Sequence, residues 1–67
     1  MAKIQLNGKK ISIKSNFSLQ DLIKKYKLIN KKVAIEYNGI IVPKINYKNK
    51  YLKNNDKIEI VHFIGGG

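Results

Sequence analysis

The stretch Val33-Ala34-Ile35-Glu36-Tyr37-Asn38-Gly39-Ile40-Ile41-Val42-Pro43 sets the architecture of this chain. Val33, Ile35 and Tyr37 alternate with Ala34 and Glu36, the period of two that puts one set of side chains on each face of a strand. Asn38-Gly39 follows, the pair that supplies positive φ at both central positions of a type I′ turn. Ile40 to Val42 then run back to Pro43, the only proline. Proline lacks a ladder donor, so it ends the strand or confines it to an edge. A hairpin is expected over residues 33–42.

Upstream lies an amphipathic helix. Ser18 is a good N-cap, and Asp21 three residues later can satisfy exposed amides and favours the positive helix end. Phe17 and Leu22 occupy the two positions of a hydrophobic staple. Leu19, Leu22, Ile23 and Tyr26 form one apolar stripe at helical spacing, with Lys24, Lys25 and Lys27 on the wet side. The helix is expected to end between Leu28 and Asn30. Before it, Ile4 and Leu6, then Ile11 and Ile13, alternate with polar residues around Asn7-Gly8, a second hairpin of the same chemistry.

Downstream, residues 44–55 read as an irregular stretch with room for one helical turn, Tyr47 and Tyr51 serving as packing and rim residues. Asn54-Asn55-Asp56 is a turn. The last strand runs from Lys57 to Phe63 with Ile58 and Ile60 inward. The order ββαββ(turn)β describes one α+β domain over residues 1–67. One main helix covers one face of a mixed four- to five-stranded sheet, and the other face is open to water or a partner.

Composition narrows the function. Sixty-seven residues support a single modest core and no large enclosed active site. A hydrophobic share of 43% argues against intrinsic disorder. The chain has no cysteine, which excludes a disulfide scaffold, a cysteine zinc site and a cysteine nucleophile. One histidine and four carboxylates offer little for catalysis or metal binding; His62 reads as a surface strand residue, and neither a metal nor a bound cofactor is expected. No apolar run reaches the roughly 20 residues of a membrane span, and residues 1–4 do not resemble a signal peptide, so a cytoplasmic protein without a membrane partner is expected.

The net charge of +10 comes from 14 lysines and no arginine. It raises the alternative of a small basic nucleic-acid-binding domain. Arginine is the residue preferred for bidentate phosphate and guanine contacts, and the lysines are scattered. Twelve isoleucines, eight asparagines and four tyrosines accompany them, the signature of AT-rich codons, so a compositional origin is favoured and no nucleic-acid partner is expected.

The end of the sequence is the most informative feature for function. The apolar strand runs through Phe63 and Ile64 directly into Gly65-Gly66-Gly67. Glycine adds nothing to packing here. It makes a thread slim enough for a narrow channel and leaves an α-carboxylate free of neighbouring bulk. That carboxylate is ionised at neutral pH and is a poor acyl donor until it is activated, for example by adenylation. The chemistry is therefore done to this protein, not by it.

With these residues in view, the sequence resembles the sulfur carriers of thiamin biosynthesis, a ubiquitin-like β-grasp family. The match is carried by Val33-Ala34, Asn38-Gly39 and Val42-Pro43, by Asp56-Lys57-Ile58-Glu59-Ile60-Val61, and by the final Gly66-Gly67. The Asn7-Gly8 turn and the Ser18-Leu19-Gln20-Asp21-Leu22 helix start also fit. The resemblance implies that the Gly67 carboxylate is adenylated by an E1-like activating enzyme, which consumes ATP. Sulfur relayed by a desulfurase then gives a thiocarboxylate, which delivers sulfur to thiazole synthase. It further implies a non-enzymatic carrier, a monomer when free, whose residues 64–67 form a flexible tail. Ile64, Gly65 and Gly66 would make the partner contacts along the channel, and Val61 and Phe63 would form an exposed apolar patch. Related alternatives are the small subunit of molybdopterin synthase and a carrier for tRNA thiolation. Two departures stand out: the chain is more basic than such carriers usually are, which calls for acidic or apolar partner surfaces, and Asn55 occupies a position where glycine is common.

Overall fold

The computed structural model describes residues 1–29 and 31–62. Strands β1 (Ala2–Leu6) and β2 (Lys9–Ile13) form the first hairpin, followed by helix α1 (Leu19–Lys25). Strands β3 (Val33–Tyr37) and β4 (Ile40–Ile41) form the second hairpin. A 3-10 helix (Lys44–Asn49) then leads to β5 (Lys57–His62). The five strands form one sheet in the order β2-β1-β5-β3-β4, with β1 and β5 parallel and the other neighbours antiparallel. The last strand in sequence is thus the middle strand of the sheet. The described residues contain no helix long and apolar enough to cross a membrane.

Both hairpins turn as their asparagine–glycine pairs dictate. Asn7 and Gly8 have φ of 48° and 85°, and Asn38 and Gly39 have 51° and 88°, the left-handed region the type I′ turn requires. The helix start is a capping box. Ser18 Oγ accepts the Asp21 amide at 3.1 Å, and Asp21 Oδ2 accepts the Ser18 amide at 2.9 Å.

The helix ends earlier than the stripe predicts. Lys27 takes φ of 58°. Its amide donates to the Lys24 carbonyl, and the Leu28 amide reaches back to that of Ile23 at 2.8 Å. This is a Schellman termination with lysine where glycine is commonest. Tyr26 becomes the C-cap and is 42% exposed, so it drops out of the buried stripe, which consists of Leu19, Leu22 and Ile23.

Residues 44–49 are more ordered than expected, forming a six-residue 3-10 helix. Tyr47 is buried by it and Tyr51 lies exposed. The segment is tied to the helix start: the Leu19 amide donates to the Lys50 carbonyl at 2.9 Å and the Leu52 amide to that of Phe17 at 2.8 Å. Pro43, just before it, limits β4 to two residues. The core lies between α1 and one face of the sheet. Ile4, Leu19, Leu22, Ile35 and Ile58 are its most completely buried side chains, each contributing about 1.5–3 kcal/mol of transfer free energy.

Candidate functional site

The site is organised by β5, whose C-terminal end leads into residues 63–67. Phe63, Ile64, Gly65, Gly66 and Gly67 lie outside the described residues. What the structure places is the root of that tail and the surface around it. Ile58 and Ile60 face the core, as their spacing predicts, and Val61 is 53% exposed on the opposite face.

That open face has a definite pattern. Val61 lies beside Ala34 across the β3–β5 ladder, and Glu59 lies directly beside Glu36. Ile41 flanks Glu36 on its other side and is exposed. Lys3, Gln5 and Lys10 occupy the β1–β2 side of the same face, with Lys57 of β5 beside Gln5. Two of the chain's four acids are thus in register with each other, midway along β5. Like charges directly opposite one another are destabilising, so this pair does not serve the fold. It gives this part of the open face a local negative charge on a chain whose net charge is +10.

The opposite end of β5 is anchored by Asp56, 5% exposed at the turn before the strand. Its carboxylate accepts the Tyr37 hydroxyl at 2.6 Å, the Lys53 amide at 2.7 Å and the Asn38 side-chain amide at 3.2 Å. Lys53 Nζ donates to the Tyr37 hydroxyl at 3.1 Å, and Lys50 Nζ lies 4.4 Å from the centre of the Tyr37 ring. Burial pushes the Asp56 carboxyl up, but its hydrogen bonds, that from Tyr37 foremost, hold it below the usual carboxylate value. Burial and the bond to Asp56 raise the Tyr37 phenol. Asn55 precedes Asp56 at φ of 72°, so asparagine supports this turn in place of glycine.

Sequence reasoning read Asp56 and Asn7 only as turn residues. In the structure each also holds β5 through its side chain, Asn7 at Ile60. A lone Asp after two asparagines signals a turn, but nothing in the sequence signals that its carboxylate is the hub of a buried network.

The ThiS family model matches residues 3–67. The chain is 46% identical over 65 residues to the sulfur carrier protein ThiS of Bacillus subtilis, covering 96% of this chain and 98% of that one. It is 37% identical over 65 residues to a thiazole synthase of Paramagnetospirillum magneticum, covering 97% of this chain but 20% of that longer one. The crystal structure of the thiamine biosynthesis protein ThiS from Geobacter metallireducens superposes with a TM-score of 0.82 at 24% identity, covering 97% and 99% of the two chains. A central β5 paired on both sides, a helix packed on one face of a five-stranded sheet and a near full-length family match lead to one conclusion: the chain belongs to the ThiS family, β-grasp sulfur carriers of thiamin biosynthesis.

Proposed function

We propose that the Gly67 carboxylate carries the sulfur. It attacks the α-phosphorus of ATP on an E1-like adenylating enzyme, releasing pyrophosphate and forming an acyl adenylate. A persulfide supplied through a desulfurase then displaces AMP to give an acyl disulfide, and a thiol reductant cleaves its S–S bond to release the thiocarboxylate. Thiazole synthase takes the sulfur, and the carboxylate is regenerated. The cycle runs in the cytoplasm, where ATP is available, and the free carrier is a monomer. It binds no cofactor; ATP is consumed by its partner.

The observation that carries this reading is the placement of β5. The strand that leads into this end of the sequence is the middle strand of the sheet, which supports a reading in which Gly65-Gly66-Gly67 is mounted on a rigid body. The thiazole synthase relatives add support for the acceptor, since a carrier-like segment there forms one fifth of a thiazole synthase chain. Docking uses the open face, with Val61 and Phe63 as apolar contacts and Glu36 and Glu59 facing a cationic group of the adenylating enzyme. Ile64, Gly65 and Gly66 line the thread inside the partner's channel.

Intact-protein mass spectrometry tests the proposal. A chain verified to end at Gly67, incubated with its adenylating enzyme, ATP and a sulfur source, gains about 16 Da as oxygen is exchanged for sulfur. Deleting Gly67, or adding a C-terminal tag, abolishes the gain while an N-terminal tag does not. No mass gain in the verified wild-type chain overturns the reading.

A further inference from the structure

Asn7 stands at the tip of the first hairpin, where φ of 48° makes it a turn residue. Its side chain does something the turn does not require. Oδ1 accepts the Ile60 amide at 2.7 Å, and Nδ2 donates to the Ile60 carbonyl at 3.4 Å, across 53 residues of sequence. A primary amide carries the same donor and acceptor as a peptide group. The Asn7 side chain therefore acts as one more residue of β1, after the backbone ladder Gln5↔Lys57 and Leu6↔Ile58 has ended. Its main-chain amide bonds to the Ile58 carbonyl at 2.9 Å as well.

Among the described residues Asn7 is the last group to hold that flank of β5. Past it the flank opens onto a groove of about 500 Å³ whose walls include Leu6, Ile11, Tyr26, Leu28 and His62. On the other flank, β3 accompanies the strand to Val33↔His62. The strand is thus gripped from both sides up to Ile60, and from one side after it.

We propose that Asn7 is a positioning residue for sulfur transfer: its side-chain amide fixes the direction in which β5 launches residues 63–67. The inference rests on the carrier function proposed above. Past Ile60, among the described residues, the strand is held by β3 alone, so loss of the amide widens the range of directions in which β5 leaves the sheet. Misplacing a reacting group by about 1 Å can cost as much as 10²-fold in rate. Docking through the open face does not involve Asn7. Loss of the amide therefore lowers the fraction of docked carriers whose carboxylate is in place, and the defect falls on kcat, not KM.

The test uses the full chain with two substitutions that both suit the turn. Asn7→Gly keeps the positive φ and removes the amide; Asn7→Asp keeps an acceptor for the Ile60 amide. Thiocarboxylate formation with the adenylating enzyme, ATP and sulfide is followed by mass spectrometry, and Ile60 amide exchange by NMR. In Asn7→Gly, Ile60 exchange accelerates about tenfold or more, and kcat falls about tenfold with KM within about twofold of wild type. Asn7→Asp recovers kcat to within about threefold of wild type. Wild-type kcat in Asn7→Gly, a defect confined to KM, or equal defects in both variants overturns the proposal. So does an Ile60 amide in the wild type that exchanges as fast as an exposed one, a measurement that needs no variant. If the wild-type chain is not thiocarboxylated, the carrier function fails instead, and Ile60 exchange still reports whether the amide grips the strand.

Discussion

Replacing Asp56 by Asn removes one charge from a nearly buried site and leaves its shape unchanged. The carboxylate accepts hydrogen bonds at 2.6, 2.7 and 3.2 Å. Bonds to a charged acceptor contribute about 1.5–3 kcal/mol each, and they are not additive. Asn keeps one acceptor oxygen but turns an NH2 group toward the Tyr37 hydroxyl or the Lys53 amide, so the expected net cost is about 2–3 kcal/mol. A domain of this length has about 3–10 kcal/mol in total. The melting temperature should fall by about 10–20 °C, at about 4–8 °C per kcal/mol.

The pH dependence of this cost separates the charge from the packing. The folded carboxyl titrates below its ordinary value of 3.8. Its contribution is therefore complete above the ordinary value and is lost as pH falls through the folded one. Urea unfolding of wild type and Asp56→Asn should differ most near neutral pH and converge below about pH 4. A neutral-pH difference under about 0.5 kcal/mol, or one that persists unchanged into acid, would refute the reasoning. The folded variant should still be thiocarboxylated, because Asp56 lies at the end of β5 away from the tail.

The like-charge pair makes an opposite prediction. Glu59→Gln should raise stability by about 0.2–1 kcal/mol by relieving repulsion with Glu36, and should raise KM for the adenylating enzyme, most visibly at low salt; a destabilised variant, or an unchanged KM, counts against the assigned role. Lys27→Gly should stabilise by about 0.5 kcal/mol in thermal melts, since glycine fits φ of 58° at the helix terminus without a Cβ penalty, offset in part by unfolded-chain entropy. Above pH 10 the Tyr37–Lys53 contact should weaken: both groups titrate above their ordinary values, so the stability they lend is present below those values and lost as pH rises through the folded ones, which alkaline unfolding curves of wild type and Tyr37→Phe will show.

Where local chemistry sets the backbone, the sequence is legible. Asn-Gly pairs turn both hairpins, Ser18 and Asp21 cap the helix, and alternation assigns the inward residues of β3 and β5. Composition was a poorer guide. The many asparagines fit a codon bias, yet Asn7, Asn16, Asn38 and Asn55 all sit at positive φ, where asparagine is one of the few tolerated residues. Lys27 shares that region without any local signal, which is why the helix end and Tyr26 were misplaced. The rest depends on contacts made at a distance. The amide of Asn7 finds Ile60, Asp56 finds Tyr37, and Glu36 meets Glu59 only because the chain brings residues from opposite ends of the sequence into one sheet. Strand periodicity fixes the face of each glutamate, but not the register between two strands.

The central position of β5 has a consequence for biosynthesis of the protein itself. Residues 57–62 follow every other described strand in the sequence, yet among the described residues β1 and β3 have no other strand to lie between them. The two hairpins and the helix must wait as separate pieces until that segment emerges. Under the proposed carrier function, a chain whose β5 is not seated between its neighbours offers no mounted end to charge, so charging would select folded molecules.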